Sequence, residues 1–226
     1  DVISPYDENA LEAAIKIKEE LGGTITVLSM GRKVSDTVLR KTIAAGADSL
    51  VLLEDPLFEG LDSSATAHVL ACAIKKIGAW DLVLTGRQAG DWDSGQVGLI
   101  MGEMLDVPCV SLARSVKLND GKLLVEKSVP VGYEVVEAAL PALVTVSNEV
   151  GELRYVARSK MLGLLRRPMT IPKWNSKDLG CDLDRLKKVR MMELAPPADM
   201  GRQCAMIVGS AEEQAGRLAE VLAEIR

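Results

Sequence analysis

The strongest constraint on this chain is a rhythm. Short, continuous apolar runs rich in β-branched residues follow segments of helical spacing that end on glycine. Ala10, Ala13, Ala14, Ile17 and Leu21 recur at helical spacing after Asp7, a good N-cap, and Gly22-Gly23 ends that helix. Thr24 to Ser29 then reads as a buried strand. Ser35 or Asp36 opens a second helix that stops at Gly46, and Leu50-Val51-Leu52-Leu53 is the next strand. Ser63 or Ser64 caps a third helix carrying Ala67, Leu70, Ile74 and Ile77, closed by Gly78, before the strand Asp81 to Thr85. Strands apolar on both faces and alternating with helices imply a parallel sheet covered by helices. The fold class is α/β.

The rhythm changes after Val107-Pro108. Cys109 to Ala113, Leu123 to Lys127 and Tyr133 to Ala138 read as strands, with Asn119-Asp120-Gly121 as a hairpin turn. Leu143 to Val146 returns to the sheet. From Gly151 regularity fades. Arg154, Arg158, Lys160, Arg166 and Arg167 alternate with Met161, Leu162, Leu164 and Leu165, apolar anchors framed by charge that suit partner docking as well as a solvated face. Residues 168–205 hold Pro168, Pro172, Pro196 and Pro197 and read as an extended arm. Ser210 with Glu213 forms a capping box ahead of a last amphipathic helix carrying Leu218, Val221, Leu222 and Ile225.

Composition removes several function classes. The 27 basic and 32 acidic residues leave a net charge of −5, without the basic face of a nucleic-acid binder. Three Trp, three Tyr and one Phe are too few for base-stacking platforms. One histidine, His68, supplies neither a His-rich metal site nor, without partners, a catalytic triad. Cys72, Cys109, Cys181 and Cys204 are scattered with no C-x-x-C pair, which reads as small core or surface residues in a reducing compartment. No apolar run approaches the ~20 residues of a membrane span, and Asp1-Val2-Ile3-Ser4-Pro5 has neither the basic start nor the apolar stretch of a signal peptide.

Chemistry concentrates in Thr85-Gly86-Arg87-Gln88-Ala89-Gly90-Asp91-Trp92-Asp93-Ser94-Gly95-Gln96-Val97-Gly98, between a strand and a helix running to about Leu105. Ligands of open α/β sheets bind beyond the carboxyl ends of strands, and a helix start there offers bare N–H groups to phosphate. Ser94 adds a hydroxyl, and Gly95 and Gly98 permit close approach. Asp91 and Asp93 suit helix caps, or acceptors for ribose or amide groups. The segment carries neither a P-loop nor a dinucleotide fingerprint. Its simpler reading is a Gly-rich connection with Asp93 or Ser94 as N-cap. Tyr6 suits a hydrophobic staple, or a ring lying against a bound ring.

Several motifs in order give the chain a resemblance to the β-subunit of electron transfer flavoproteins. Ser4-Pro5-Tyr6-Asp7 resembles the family's Asn-Pro-aromatic-Asp segment, with Ser4 in place of Asn. Ala44-Ala45-Gly46-Ala47-Asp48 resembles its M/A-G-A-D turn. Gly86-Arg87-Gln88-Ala89 with Asp91, Asp93 and Gln96 resembles its nucleotide loop. Leu140-Pro141-Ala142-Leu143-Val144-Thr145-Val146 with Asn148-Glu149 and Arg154-Tyr155 resembles the entry to its recognition loop. Relative to the family, the sequence lacks a first strand and a K-Q-V-P-D-like segment, and departs at Trp92 and at Val156-Ala157-Arg158-Ser159.

The resemblance implies a Rossmann-like adenine-nucleotide-binding domain over residues 1–150, a partner-recognition loop over 151–170, and an arm and helix over 171–226 that pack on an α-subunit. It implies redox FAD held with that α-subunit in a heterodimer, and AMP or a second FAD in the β-subunit pocket. Ser29, Met30, Ala89, Asp91, Asp93, Ser94, Gly95, Gln96 and Val97 are the nucleotide-binding candidates, with phosphate on the amides of Ser94 to Val97. Tyr6 matches the aromatic near the α-subunit's flavin. Arg154, Tyr155, Arg158, Met161 and Leu162 match the recognition of an acyl-CoA or similar dehydrogenase. The implied role is an electron-carrier subunit with no catalytic residues of its own, cytoplasmic or in the mitochondrial matrix. Ser94-Gly95-Gln96-Val97-Gly98 leans toward the T-G-Q-V-G version of electron-bifurcating, NADH-dependent members. A stand-alone ATP-binding module of the universal-stress kind is the remaining alternative.

Overall fold

Pro5 opens the first helix, α1 (Pro5–Leu21), where its missing N–H costs nothing and its fixed φ suits the first turn. The helix therefore starts ahead of Asp7. That residue is not the cap the sequence suggested: it lies in the first turn, and its Oδ1 accepts the Gly86 N–H at 2.9 Å. The computed structural model describes residues 2–119, 121–166, 169–181, 189, 192–196 and 204–224. Pro168, Pro197, Arg167, Asp120 and Ile225, singled out in the sequence, lie outside them.

The expected alternation follows. β1 (Thr26–Met30), α2 (Asp36–Ala45), β2 (Ser49–Leu53), α3 (Ser63–Ile77), β3 (Leu82–Gly86) and α4 (Val97–Leu105) appear in order. Gly46 and Gly78 end α2 and α3 at φ 152° and 99°, which the missing Cβ makes accessible. Asp62, rather than Ser63 or Ser64, caps α3, its Oδ1 accepting from Ala65 N at 2.8 Å. β4 (Cys109–Asn119), β5 (Lys122–Ser128), β6 (Tyr133–Ala138) and β7 (Ala142–Val146) complete the main body.

The strands form two sheets. One is parallel, ordered β1-β2-β8, where β8 is the two-residue strand Lys173–Trp174. The other is ordered β3-β7-β4-β5-β6. Within it, β7 is parallel to both neighbours, and the β4-β5-β6 meander is antiparallel. Leu112, at φ 58°, marks the irregularity where β4 passes from one pairing to the other. The fold is α/β with helix-flanked parallel pairings, as the rhythm implied. Leu143, Val144 and Val146 are fully buried in β7, and Leu53, Val69 and Ala73 anchor a second cluster beneath α3. β1 and β3 each stand at the end of their sheet, and every residue of both borders one cavity.

Three elements went unforeseen in the sequence. The basic stretch contains a helix, α5 (Arg158–Leu165), tied to α2 by a hydrogen bond from Arg40 Nη1 to Leu164 O at 2.7 Å. Within residues 168–205, β8 is followed by α6 (Ser176–Leu179), whose Asn175 and Asp178 form a capping box. Residues 191–226 form a separate compact unit. There, α7 (Ala211–Glu224) carries the expected capping box, with Ser210 N donating to Glu213 Oε2 at 2.8 Å and Glu213 N to Ser210 Oγ at 3.3 Å. Its Leu218, Val221 and Leu222 are exposed.

Candidate functional site

β3 delivers the Gly-rich segment to the start of α1. At Gly86 an added Cβ would lie 2.7 Å from Tyr6 Cβ and 2.8 Å from the Tyr6 carbonyl carbon, so only glycine fits without moving backbone. The Arg87 guanidinium lies over the Tyr6 ring, 4.9 Å from its centroid. The loop then organises itself. Asp93 N donates to Ala89 O at 3.2 Å, Gln88 Nε2 to Asp93 Oδ1 at 2.6 Å, and Trp92 N to Asp91 Oδ1 at 2.9 Å. Both aspartates thus serve the loop's own amides. Gly95, at φ 61°, turns the chain into α4. Gln96 holds the cap position with no side-chain capping bond, so neither Asp93 nor Ser94 acts as the N-cap of the simpler reading. The first N–H groups of a helix lack intrahelical acceptors, and here no cap side chain replaces them. Ser94 Oγ instead lies 3.3 Å from Ser63 Oγ on α3.

A cavity of about 1060 Å³ borders this helix start. Seven of the nine nucleotide candidates line it: Ser29, Met30, Ala89, Ser94, Gly95, Gln96 and Val97. Asp91 and Asp93 stand outside the lining, on the exposed part of the loop. Two further wall residues, Ser4 and Thr85, quoted in the sequence motifs but not among the nucleotide candidates, have buried hydroxyl oxygens with no hydrogen-bond partner among the described residues. Thr85 opens the Gly-rich segment and Ser4 the Ser-Pro-Tyr-Asp motif, but neither pattern shows that a hydroxyl is left unpaired. Gly98 packs against Thr85, where a Cβ would come within 2.8 Å of Thr85 Oγ1 and 2.7 Å of Thr145 Cγ2. Away from this polar end Leu28, Leu70, Ile74, Leu82, Leu84 and Met101 form an apolar wall, with Lys18, Arg32 and Asp81 also in the lining. Orphaned hydroxyls, an uncapped helix start and a glycine-lined approach suit a phosphorylated, polar-headed ligand.

The recognition candidates separate. Tyr155 is 88% exposed, Arg158 and Leu162 are exposed on α5, and Met161 is half-buried. Arg154 is anchored to α1: its guanidinium Nη2 lies 3.0 Å from Glu12 Oε1, and Nη1 pairs with Glu19. Burial raises the Glu12 carboxyl, but hydrogen bonds from the Arg154 side chain and backbone outweigh it and hold the pKa below the ordinary 4.5. A depressed folded-state pKa contributes stability above the unfolded value, and that contribution is lost as pH falls through the folded one. Arg154→Met strands a buried carboxylate and is expected to cost about 2–3 kcal/mol at pH 7. With the guanidinium gone, burial is opposed only by the weaker pull of the Lys16 charge and the Glu12 pKa rises, so the deficit shrinks on acidification. Urea midpoints of wild type and variant should diverge most near pH 7 and converge toward about pH 4. A pH-independent gap would show that the pair is not coupled this way.

The fold and site together define a mixed α/β protein with a ligand-sized cavity at the ends of β1 and β3. Residues 1–164 match the family model described as "Electron transfer flavoprotein domain". The caffeyl-CoA reductase-Etf complex subunit CarD of Acetobacterium woodii is 39% identical over 230 residues, covering 99% of this chain and 86% of that protein. Electron transfer flavoprotein subunit beta of Thermoanaerobacterium thermosaccharolyticum is 45% identical over 154 residues, 68% of this chain and 59% of that protein. Protein FixA of Bradyrhizobium diazoefficiens is 36% identical over 234 residues, 98% of this chain and 80% of its own length. The chain belongs to the electron transfer flavoprotein family. Its function is electron transfer of the β-subunit kind, and the family implies an α-subunit partner and an association with flavin. No helix among the described residues is long and apolar enough to cross a membrane.

Proposed function

We propose that the polar end of the cavity holds the adenylate of a nucleotide while the chain helps an α-subunit enclose redox FAD. The observation that carries this reading is the convergence of Ser29, Met30, Ala89 and Ser94 to Val97 on one cavity beside the uncapped start of α4. Backbone amides at that helix start would take the phosphate, with Ser4 and Thr85 as further hydroxyl donors. FAD supplies reversible electron chemistry when bound, whereas an adenylate alone has none. The chain's own residues bind, orient and exclude water. No described group assumes the role of acid, base or nucleophile in this reading.

Whether the adenylate is AMP or part of a second FAD turns on Ser94 to Gly98. Their likeness to T-G-Q-V-G supports the second FAD, as does a relative named for a caffeyl-CoA reductase-Etf complex. In the same proposal, Tyr155, Arg158 and Leu162 form the exposed face offered to a dehydrogenase. The uncovered apolar face of α7 docks on the α-subunit. The apolar part of the cavity, bordered along their whole length by the edge strands β1 and β3, is shaped to take an extended strand.

The test is heat release of nucleotide from the complex purified with its α-subunit. Gly95→Val places a β-branched side chain at φ 61° and is expected to cut retained nucleotide at least about tenfold. Gln96→Ala should change it little, because main-chain amides carry the phosphate. Equal retention by both variants would remove the loop from the pocket.

A further inference from the structure

α3 presents a second site on a face away from the loop. His68 and Cys72 are one helical turn apart, so their side chains share a face. Cys181 reaches them from a distant part of the chain. The Gly180 C-cap, at φ 66°, reverses the chain after α6, and Cys181 N donates to Ser176 O at 3.1 Å. Lys76 Nζ fixes the approach, donating to Asp178 O at 2.6 Å and lying 5.1 Å from the Trp174 ring centroid. The result is a compact trio: Cys72 Sγ lies 3.5 Å from His68 Nε2, and one ligand atom from each of the three residues falls within 4.8 Å of the others. All three residues are partly buried.

We propose that His68, Cys72 and Cys181 form a three-ligand site for a thiophilic divalent cation of the zinc class. Tetrahedral zinc with bonds of about 2.3 Å to sulfur and about 2.0–2.1 Å to nitrogen places its ligand atoms roughly 3.5–3.8 Å apart. The Cys72–His68 separation already matches that spacing, and the remaining distances need only small rotations about χ1. On binding, each thiol loses its proton to solvent, His68 Nε2 offers its lone pair, and water fills the fourth position. Two thiolates neutralise the cation's two charges, so no net charge enters a half-buried position. The site would staple residues 173–181 to α3. That segment pairs with its sheet at Lys173 with Leu52 and Trp174 with Leu53, and Ser176 N and Oγ donate to Asp55 Oδ2 at 2.9 and 2.6 Å, so the cation would add a further tie nearer its end.

The experiment uses the full chain purified with its α-subunit, reduced and stripped with chelator, then titrated with Zn²⁺ against a chromophoric chelator. The expected result is one high-affinity equivalent per chain, weakened at least about a hundredfold in Cys72→Ser and Cys181→Ser and about tenfold in His68→Gln. Cys109→Ser and Cys204→Ser should bind as the wild type does. Co²⁺ should give thiolate-to-metal charge-transfer absorption that the Cys72 and Cys181 variants lose. Should a variant fold poorly, alkylation mapping of the wild type decides: Zn²⁺ should protect Cys72 and Cys181 and leave Cys204 reactive. Binding undiminished by the Cys72→Ser/Cys181→Ser double change would overturn the assignment. So would an absence of tight uptake, or a Cys72–Cys181 disulfide that re-forms with no metal taken up.

Discussion

In a chain of residues 1–226, a six-residue, β-branched apolar strand fused ahead of Asp1 by a short flexible linker is expected to raise the melting temperature by roughly 10 °C. β1 and β3 are each five residues long, each has a hydrogen-bonded strand neighbour on one side only among the described residues, and all ten residues border the cavity. An unpaired edge of backbone N–H and C=O groups is a template for another strand. Two such edges on one apolar cavity ask for a strand between them. Val2, Ile3 and Ser4 already lie in the cavity wall, so the fused segment enters without a long link. About three inward side chains against Leu28, Leu70, Ile74 and Met101 contribute roughly 1.5–3 kcal/mol each. Ordering six residues opposes them at about 1–2 kcal/mol each, and about ten new backbone hydrogen bonds to the two edges, at roughly 0.5 kcal/mol each, offset about half of that cost. A net gain of about 3 kcal/mol corresponds to the stated shift for a chain of this size. The same fusion with alternating Glu and Pro should give no increase. A melting temperature equally indifferent to both fusions would mean that the cavity does not accept a strand.

Gly86→Ala is expected to destabilise the chain by about 2–3 kcal/mol and to lower nucleotide retention at least about tenfold. The new Cβ would stand 2.7 Å from Tyr6 Cβ and 2.8 Å from both the Tyr6 carbonyl carbon and Asp7 Oδ1. Two of these atoms belong to the opening turn of α1 at or next to its backbone, so relief requires shifting the helix rather than a side-chain rotation. That shift would break the Gly86 N–H···Asp7 bond and lift Tyr6 from Arg87, moving one wall of the cavity. Gly163→Ala and Gly216→Ala are the controls. Both lie inside helices with nothing within 4 Å of an added Cβ, and should be neutral or stabilising by about 0.5–1 kcal/mol. Guanidinium denaturation and the heat-release assay read both effects. A Gly86→Ala variant as stable as the wild type would show that α1 is not seated as described.

Local signals carried most of the fold. Gly46 and Gly78 end helices where their sequence context indicated, and β7 returns to the sheet from Leu143 to Val146 because a run apolar on both faces has nowhere else to be buried. Asp7 misled because a cap and a first-turn acidic residue look alike in sequence, and Pro5 decided between them. α5 was hidden because its apolar residues do not recur on one stripe. The separation of the strands into two sheets could not be read locally, since each strand looks the same whether or not its neighbour is present. The polar end of the cavity was legible as a candidate, because a strand end followed by glycines and a helix is a local pattern, whereas most of its wall was not. Ser4 and Thr85 were not, because an orphaned hydroxyl is a property of packing. Cys181 was least legible of all: its partners lie more than a hundred residues earlier, joined only by the way α6 meets α3.

The most direct measurement is the identity and amount of nucleotide freed when the wild-type complex with its α-subunit is denatured. An adenylate seated at the α4 start gives either one AMP and one FAD per heterodimer, or two FAD and no AMP. One FAD with no second adenine nucleotide would leave the cavity without the ligand assigned to it, and the reading of Ser29, Met30, Ala89 and Ser94 to Val97 as a nucleotide site would fall.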